Sequence, residues 1–411
     1  MLKYWIWLTT RKGLGVRGIY LVMQHFSSPE AAYFADPKEY ETIRELRNPE
    51  ALQDKNLKEA EKILRECRNK GISVVTMQDA VYPRRLLALE DPPAVLYYKG
   101  VLPDLNGPVI GVVGTRHASL YGMKQAHRMG YGLSHCGAVV VSGGARGVDT
   151  EALRGALLGG APVVAVLGCG VDMVYPAENR SLFRDVESHG CLISEYPPGT
   201  GPRSEHFPVR NRIISGLSLG VLVVEAPAKS GALITAERAL DQGRDVFALP
   251  ANVDQPSGEG NLQLLRDGAI LVRDPWEILQ EYARQFPENV ENRDCSGWDT
   301  GAQTVVPEPE KKPVSVPKPK PADKKAIDKG KNRNYIDAKK IMGDLSPQEQ
   351  QLAALLEAGP VHIDALSEQM QQPAGCVLAL MTMLEVKGYI QRLPGREFSL
   401  AWADNPSEGA S

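Results

Sequence analysis

Short apolar runs alternate with helix-length amphipathic segments through the middle of the chain. Runs such as Val163–Leu167 contain no polar alternation, so both faces of such a strand must be covered by other elements. The pattern predicts strands at 109–113, 138–142, 162–167, 191–194, 219–225, 245–249 and 269–272. It predicts helices at 118–135, 148–159, 178–189, 208–217, 231–242, 260–267 and 275–283. This regular alternation is typical of a doubly wound, mostly parallel α/β sheet.

The first 80 residues have a helical pattern of a different kind. Gly13-Leu14-Gly15 precedes the amphipathic run Val16–Phe26, as in a hairpin between two small helices. Such a hairpin can present backbone N–H groups to a DNA phosphate, or it can simply be a tight turn in a helical bundle. We predict a small helical domain at 1–80, of the helix-hairpin-helix or SAM-like kind, and place the α/β domain at 81–290.

The last third of the chain changes character twice. Residues 303–340 hold 11 Lys or Arg against 5 Asp or Glu, with six prolines and few large apolar side chains. This composition predicts a flexible, locally basic linker over 291–340. Beyond it, helical patterns at 346–358, 361–370 and 374–387 precede two short strands at 389–393 and 397–400. Three helices and a β-hairpin predict a winged helix over 341–403.

Composition narrows the class of protein. The net charge is −3, so any nucleic-acid surface must be a local patch. The six cysteines are scattered without paired spacing, which argues against a zinc finger and favours a reducing cytosol. The apolar run Tyr4–Leu8 is too short for a signal-peptide core, and no run approaches the length of a membrane span. We therefore expect a cytoplasmic protein with no membrane association.

Two glycine-rich turns follow the first two strands of the α/β region. The first is Gly114-Thr115-Arg116, and the second contains Gly143, Gly144 and Arg146. In a parallel sheet these turns open on the same edge, where glycines let backbone N–H groups approach an anion and the next helix adds partial positive charge. The two turns predict a phosphate-binding edge.

The segment that leads into and begins the predicted helix 208–217 combines cations with an aromatic ring. Its members are Arg203, His206, Phe207, Arg210, Asn211 and Arg212. This combination suits single-stranded nucleic acid, because a base stacks on the ring while guanidinium groups follow the phosphates. The alternative is that Phe207 anchors the loop in the core while Asn211 and Arg212 cap neighbouring helices.

Positive signs of catalysis are lacking in the sequence. Gly-x-Gly-x-x-Gly is absent after the first strand, and no Gly-Lys-[Ser/Thr] phosphate loop occurs. Glu195, Glu225 and Glu237 have no nucleophile or second carboxylate beside them in sequence. We predict no enzymatic activity, no cofactor and no metal.

Ordered motifs over roughly 90–290 resemble the DNA processing protein A family, known as DprA or Smf. They are Gly114-Thr115-Arg116, Ser142–Asp149, Tyr175-Pro176-x-x-Asn179, Ser194–Pro197, Phe207–Ser218 and Ser230–Ala236. The resemblance implies an extended Rossmann-like domain that binds single-stranded DNA during natural transformation, shields it and helps to load RecA. It further implies dimerisation through this domain, and places Arg116 and Phe207 at the DNA groove. Local departures, such as Pro250-Ala251 in place of Pro-Gly, affect loop shape.

Two other functions remain open from the sequence. A nucleotide-processing enzyme related to phosphoribohydrolases shares the Gly-Gly turns, but Ser142–Glu151 lacks the Gly-Thr-x-x-Glu order of those enzymes. A regulator could bind duplex DNA through the winged helix, but the expected recognition helix at 374–387 has Lys387 as its one cation. A winged helix this poor in cations favours contact with protein.

Overall fold

The computed structural model describes residues 1–295 and, with gaps, parts of 347–400. The N-terminal region consists of short helices: α1 Leu2–Thr9, α2 Gly15–His25, α3 Pro29–Phe34, α4 Pro37–Glu41 and α5 Lys58–Asn69, with a 3-10 turn at Pro49–Gln53. Helices α3 and α4 each begin with a proline. The side chains of Ser28 and Asp36 accept hydrogen bonds from the first turns of these two helices and so fix where they start.

The chain divides into two compact units, and the first contains all of the described residues up to 295. A nine-stranded sheet forms the centre of this first unit. Its strands are β1 Ser73–Thr76, β2 Val95–Gly100, β3 Val109–Val113, β4 Val139–Ser142, β5 Val163–Val166, β6 Gly190–Ser194, β7 Gly220–Val223, β8 Asp245–Ala248 and β9 Ile270–Leu271. They lie in the order β1-β2-β6-β5-β4-β3-β7-β8-β9. Strands β3 to β9 pair in parallel, whereas β1 with β2 and β2 with β6 are antiparallel. The predicted doubly wound, mostly parallel, Rossmann-like fold is confirmed.

Helices cover both faces of the sheet. They are α6 Arg84–Leu87, α7 Leu120–His135, α8 Val148–Gly159, α9 Arg180–His189, α10 His206–Leu217, α11 Gly231–Asp241, α12 Glu259–Arg266 and α13 Pro275–Leu279. Successive strand residues alternate between two buried cores, so Ile110 and Val112 pack on one face while Val109 and Val113 pack on the other. Helices α7, α8 and α9 cover the first face, and α6, α10 and α11 cover the second.

The N-terminal helices belong to the same core as the first sheet face. Ile6, Trp7 and Leu8 are completely buried and fall in one apolar cluster with Tyr97 of β2 and Ile110 of β3. Apolar burial of this kind dominates folding energetics. The α1–α5 region therefore depends on the sheet for part of its stability.

The C-terminal unit has its own small core. Its described elements are α14 Pro347–Leu356 and three antiparallel strands, β10 Val361–His362, β11 Ile390–Leu393 and β12 Glu397–Leu400. The strands lie in the order β10-β12-β11. Buried residues of this unit are Leu352, Leu356, Leu366, Met370, Val377, Met381, Leu384, Ile390 and Phe398.

Two short strands differ from the sequence prediction. Residues 73–76 form β1 within a region expected to be helical, and Val361–His362 form β10 where a helix was expected to begin. Both strands exist because a distant strand pairs with them, β2 in one case and β12 in the other. Most of the predicted linker, from residue 296 to 340, lies outside the described residues. Among the described residues, no helix has the length and apolar character needed to cross a membrane.

Candidate nucleic-acid interface

The chain reverses its direction of winding between β3 and β7. Strands β4, β5 and β6 extend the sheet from one side of β3, whereas β7, β8 and β9 extend it from the other. In open α/β sheets, the loops at such a switch point separate and leave a crevice at the carboxyl ends of the strands. A groove of about 580 Å³ lies there, between the turn after β3, the start of α10 and the start of α11.

Phe207 lies in the middle of this edge, between two arginines. The guanidinium carbon of Arg116 is 5.0 Å from the centre of the Phe207 ring, and that of Arg210 is 5.9 Å away. Both distances are within the range of cation–π attraction. Arg116 is exposed and Phe207 is half-buried. Phe207 is thus a cation-flanked ring that remains partly open to a ligand.

Arg210 is held beneath the groove floor. It is 4% exposed, and its Nη1 donates to the carbonyl of Gly143 at 2.7 Å and to the carbonyl of Val166. These bonds tie the turn after β4 to the end of β5. Arg210 therefore positions Phe207 and two turns, and its charge contributes to the groove from below.

Asp149 lies beside Arg210 at the first turn of α8. Burial raises the pKa of Asp149 to about 6, although Arg210 and the Ala145 N–H oppose the shift. A Cβ atom on Gly143 would lie 2.6 Å from both the Asp149 carboxylate and the Arg210 guanidinium. Gly143 is required because the chain's own side chains pack against it. Gly144 is also buried, and neither glycine is exposed as an open anion cradle.

Phe207 separates the groove from a second, smaller cleft. This cleft is lined by Arg116, Gly143, Arg146, Gly168 and Tyr175, among others. A Cβ atom on Gly168 would lie 2.9 Å from the Phe207 ring, so only glycine allows the ring to settle against the turn after β5. The Tyr175 ring lies 5.7 Å from the Phe207 ring, tilted by 36°. Two aromatic faces therefore border the same cleft.

The outer cations are exposed on the rim. Arg146 is ion-paired with Glu178 at the surface of the smaller cleft. Arg203 lines the larger groove, and its contact with Glu205 is long, at 3.8 Å, with both side chains 69% exposed. Exposed ion pairs of this kind hold their partners weakly. Both arginines are therefore available to a phosphate.

Arg212 is the clearest departure from the sequence-based site. It is 3% exposed and forms ion pairs with Glu195 at 2.6 Å and with Asp91 at 3.2 Å. It does not line the groove, so we remove it from the site. Asn211 lines the groove but is buried, and its Nδ2 donates to the Gly231 carbonyl at 3.3 Å, which links α10 to α11.

The turn after β3 is fixed by packing and by backbone hydrogen bonds. A Cβ atom on Gly114 would lie 2.5 Å from Val148 of α8. The Thr115 N–H donates to the Glu225 carbonyl at 2.7 Å, and the Thr115 hydroxyl accepts from the His117 N–H at 3.2 Å. This turn places the Arg116 side chain over Phe207.

Several groove residues were outside the predicted site. Among them are His117, Tyr175, Lys229, Ser230 and Gly231. Lys229 is exposed, and Ser230 caps α11 by accepting from the Ala232 N–H at 3.2 Å, so the positive end of that helix meets the groove. Lys229-Ser230-Gly231 follows a predicted strand, as the two glycine-rich turns do. This position in the sequence is the signal by which the segment could have been assigned to the groove.

Chemically, the edge offers full positive charges, a helix N-terminus and two aromatic faces. Within the described residues, no group of His, Cys, Asp and Glu side chains could hold a metal ion. Phosphates suit the cations, and bases suit the rings. An α/β domain with this edge, followed by a small unit with a helix and three antiparallel strands, has the groups expected of a nucleic-acid-handling protein.

Sequence comparison identifies the family within that class. Residues 73–283 match the family described as DNA recombination-mediator protein A, and residues 340–396 match the DprA winged helix domain. The chain belongs to this DprA/Smf family, which confirms the resemblance and the predicted winged helix.

Individual relatives agree with this assignment. Protein Smf of Synechocystis sp. is 38% identical over 283 residues, covering 67% of this chain and 71% of that protein. DNA processing protein DprA of Streptococcus pneumoniae is 43% identical over 204 residues, covering 50% of this chain and 72% of the relative. The X-ray structure of DprA from Streptococcus pneumoniae superposes with a TM-score of 0.62 at 33% identity, covering 71% of this chain and 99% of that one.

Proposed function

We propose that this recombination mediator binds single-stranded DNA in the groove at the β3–β7 switch point. In this proposal it protects incoming transforming DNA and helps to load RecA for homologous recombination, without catalysing a reaction. It acts in the cytoplasm, as a homodimer formed through the Rossmann-like domain.

The position of the Arg116 guanidinium over the Phe207 ring is the main support for single-strand binding. In the described part of the chain Arg116 has no carboxylate ion-pair partner, and the ring beneath it is half-buried. An unpaired cation is ready for a phosphate, and a partly open ring is ready for a base. In a duplex the bases are already stacked on each other and cannot reach such a ring. The edge therefore favours single strands.

The loading of RecA rests on two supports. The family is described as a DNA recombination mediator, and the motif resemblance implies delivery of single strands to RecA. The dimer and the shielding of DNA rest on the resemblance alone. The shielding belongs to the same proposal because a strand buried in a groove is sterically less accessible to nucleases.

The binding test compares matched oligonucleotides. Fluorescence anisotropy of the full chain is measured with single-stranded and duplex DNA of equal length over a series of salt concentrations. We expect tighter binding to the single strand, with a log–log salt slope of about −0.7 per phosphate neutralised. Equal or stronger duplex binding would favour the winged-helix regulator. Thermal stabilisation by NAD, ATP or a nucleoside monophosphate would favour the nucleotide enzyme.

The loading test uses single-stranded DNA coated with single-strand-binding protein. We expect the full chain to shorten the lag before RecA assembles on this DNA, and the Arg116→Ala variant to do so less. A chain that binds single strands tightly but leaves the lag unchanged would support the groove and refute the loading function.

A further inference from the structure

We propose that Cys136 and Cys295 form a reversible, redox-sensitive cross-link that fastens the end of the α/β unit to α7. Their sulfur atoms lie 3.6 Å apart, although the two residues are 159 positions apart in sequence. A disulfide needs the sulfurs to approach to about 2.05 Å, so a movement of roughly 1.5 Å would close the bond.

The two thiols differ in accessibility. Cys136 caps the C-terminus of α7 and is completely buried, whereas Cys295 is partly exposed. The other cysteines in the described residues, Cys67, Cys169 and Cys191, are buried. A small oxidant can therefore reach the Cys295 thiol, and the Cys136 thiol can then attack the mixed disulfide that forms on Cys295.

The surrounding backbone holds residues 289–295, here called the strap, against the end of α7. The Glu291 N–H donates to the Cys136 carbonyl at 3.1 Å, and Arg293 Nη1 donates to the His135 carbonyl at 3.1 Å. Val290 is 7% exposed and joins the apolar core of the unit. The strap is thus built to keep Cys295 beside Cys136.

The chemistry is two successive thiol–disulfide exchanges with a low-molecular-weight disulfide such as oxidised glutathione. The Cys295 thiolate attacks one glutathione sulfur, forming a mixed disulfide and releasing one glutathione thiolate. The Cys136 thiolate then attacks the Cys295 sulfur and releases the second. The two released thiolates take up the two cysteine protons, so the protein pair is oxidised and glutathione is reduced.

In its resting state the Cys295 side chain is a neutral thiol. Burial, together with Cys136 and Asp294, raises the pKa of Cys295 to about 12. In a reducing cytosol the cross-link would stay open, and a rise in the ratio of oxidised to reduced glutathione would close it. Closure would fix the strap, which precedes the winged-helix unit in the sequence.

The experiment equilibrates the full chain with graded mixtures of reduced and oxidised glutathione and then blocks free thiols. We expect peptide mapping to find a linkage between residues 136 and 295, reversed by dithiothreitol. The melting temperature should rise by roughly 5 °C or more, because the bond closes a very long loop in the unfolded chain. Cys295→Ser should abolish both effects. Cys67→Ser, at a buried cysteine outside the pair, should retain the linkage and the rise in melting temperature when its oxidised and reduced forms are compared with each other.

The opposite results are equally clear. Separate glutathione adducts without a 136–295 peptide, or a pair that stays reduced throughout the series, would overturn the cross-link. Because Cys136→Ser could destabilise a buried site, Cys295→Ser at the partly exposed position is the deciding variant. An unchanged melting temperature in the linked protein would overturn the fastening role.

Discussion

Arg210 and Arg212 lie two positions apart on α10, and the helix directs them to different parts of the molecule. Two helical steps rotate a side chain by about 200°, so one arginine lies under the groove and the other meets Glu195 and Asp91. In the sequence both belong to one polar run. The carboxylates that bind Arg212 are 17 and 121 positions away, so the sequence left open whether this arginine contacts a ligand or has a structural role.

Removing Arg116 tests the exposed cation of the groove. Arg116→Ala is expected to weaken single-strand binding and to reduce the magnitude of the salt slope by about 0.7, because one phosphate contact is lost. The measurement is fluorescence anisotropy over a salt series. Arg266→Ala, which removes an exposed arginine at the end of α12 and away from the groove, should change neither quantity. An unaltered slope in Arg116→Ala would exclude this residue from the site.

Removing the Phe207 ring tests stacking separately from charge. Phe207→Ala is expected to cost about 1–3 kcal/mol of binding with little change in salt slope, because stacking releases no counterions. Phe207→Leu keeps apolar bulk without an aromatic face and should lose nearly as much affinity. Thermal melting serves as the control. A stability loss of about 3–5 kcal/mol in Phe207→Ala, with binding retained by Phe207→Leu, would identify the ring as a core anchor instead.

Among the elements, those with a strong local pattern were predictable. The uninterrupted β-branched runs of β3, β4 and β5 marked buried parallel strands, and the glycines after them marked their carboxyl ends. Strands β1 and β10 escaped prediction because they are short and owe their existence to pairing with β2 and β12. Tertiary pairing decided those two segments, as it often does for β-structure.

Helix α5 is joined to the loop after β5 by one ion pair. Lys70 Nζ lies 2.7 Å from Asp172 Oδ2, and the Gly199 N–H donates to the same carboxylate at 2.9 Å. Burial alone would raise the pKa of Asp172, but the hydrogen bonds from Lys70 and Gly199 lower it overall. The ionised form is therefore favoured in the folded state, and this linkage supports the loop that carries Gly168.

Neutralising Asp172 tests this linkage through its pH dependence. Because the folded pKa is below the unfolded value of 3.8, the ionised carboxylate stabilises the fold above about pH 4. Asp172→Asn should lower the free energy of unfolding by about 1 kcal/mol at pH 7, a modest value because Lys70 is partly exposed. The difference should shrink as the pH falls through the lowered pKa.

Urea unfolding at several pH values provides the measurement. Asp241→Asn, which breaks an exposed ion pair with Arg238, is the matched control and should be neutral. A destabilisation by Asp172→Asn that grows on acidification would contradict the assignment.

At the scale of the whole molecule, the proposed DNA site lies entirely within the first unit. All lining residues of the groove fall between Val113 and Thr235. A fragment of residues 1–300 is therefore expected to bind single-stranded DNA nearly as well as the full chain, apart from a small salt-sensitive increment from the cations of residues 303–340. Anisotropy at two salt concentrations measures both effects.

The isolated fragment 341–411 provides the complementary measurement. Its segment 374–387 has one cation, Lys387, so we expect weak duplex binding or none. Tight duplex binding by 341–411, together with no binding by 1–300, would move the DNA site to the winged helix.

The shared core of α1–α5 and the sheet has a practical consequence for dissecting this family. The match to the family model of the α/β domain begins at residue 73, yet the buried side chains of Ile6, Trp7 and Leu8 lie in one cluster with Tyr97 and Ile110. A fragment cut at the start of that match would expose a broad apolar surface to water, and such surfaces promote aggregation. If a fragment of residues 73–283 failed to bind DNA, aggregation of the fragment would therefore be the first explanation to test, ahead of any defect in the groove.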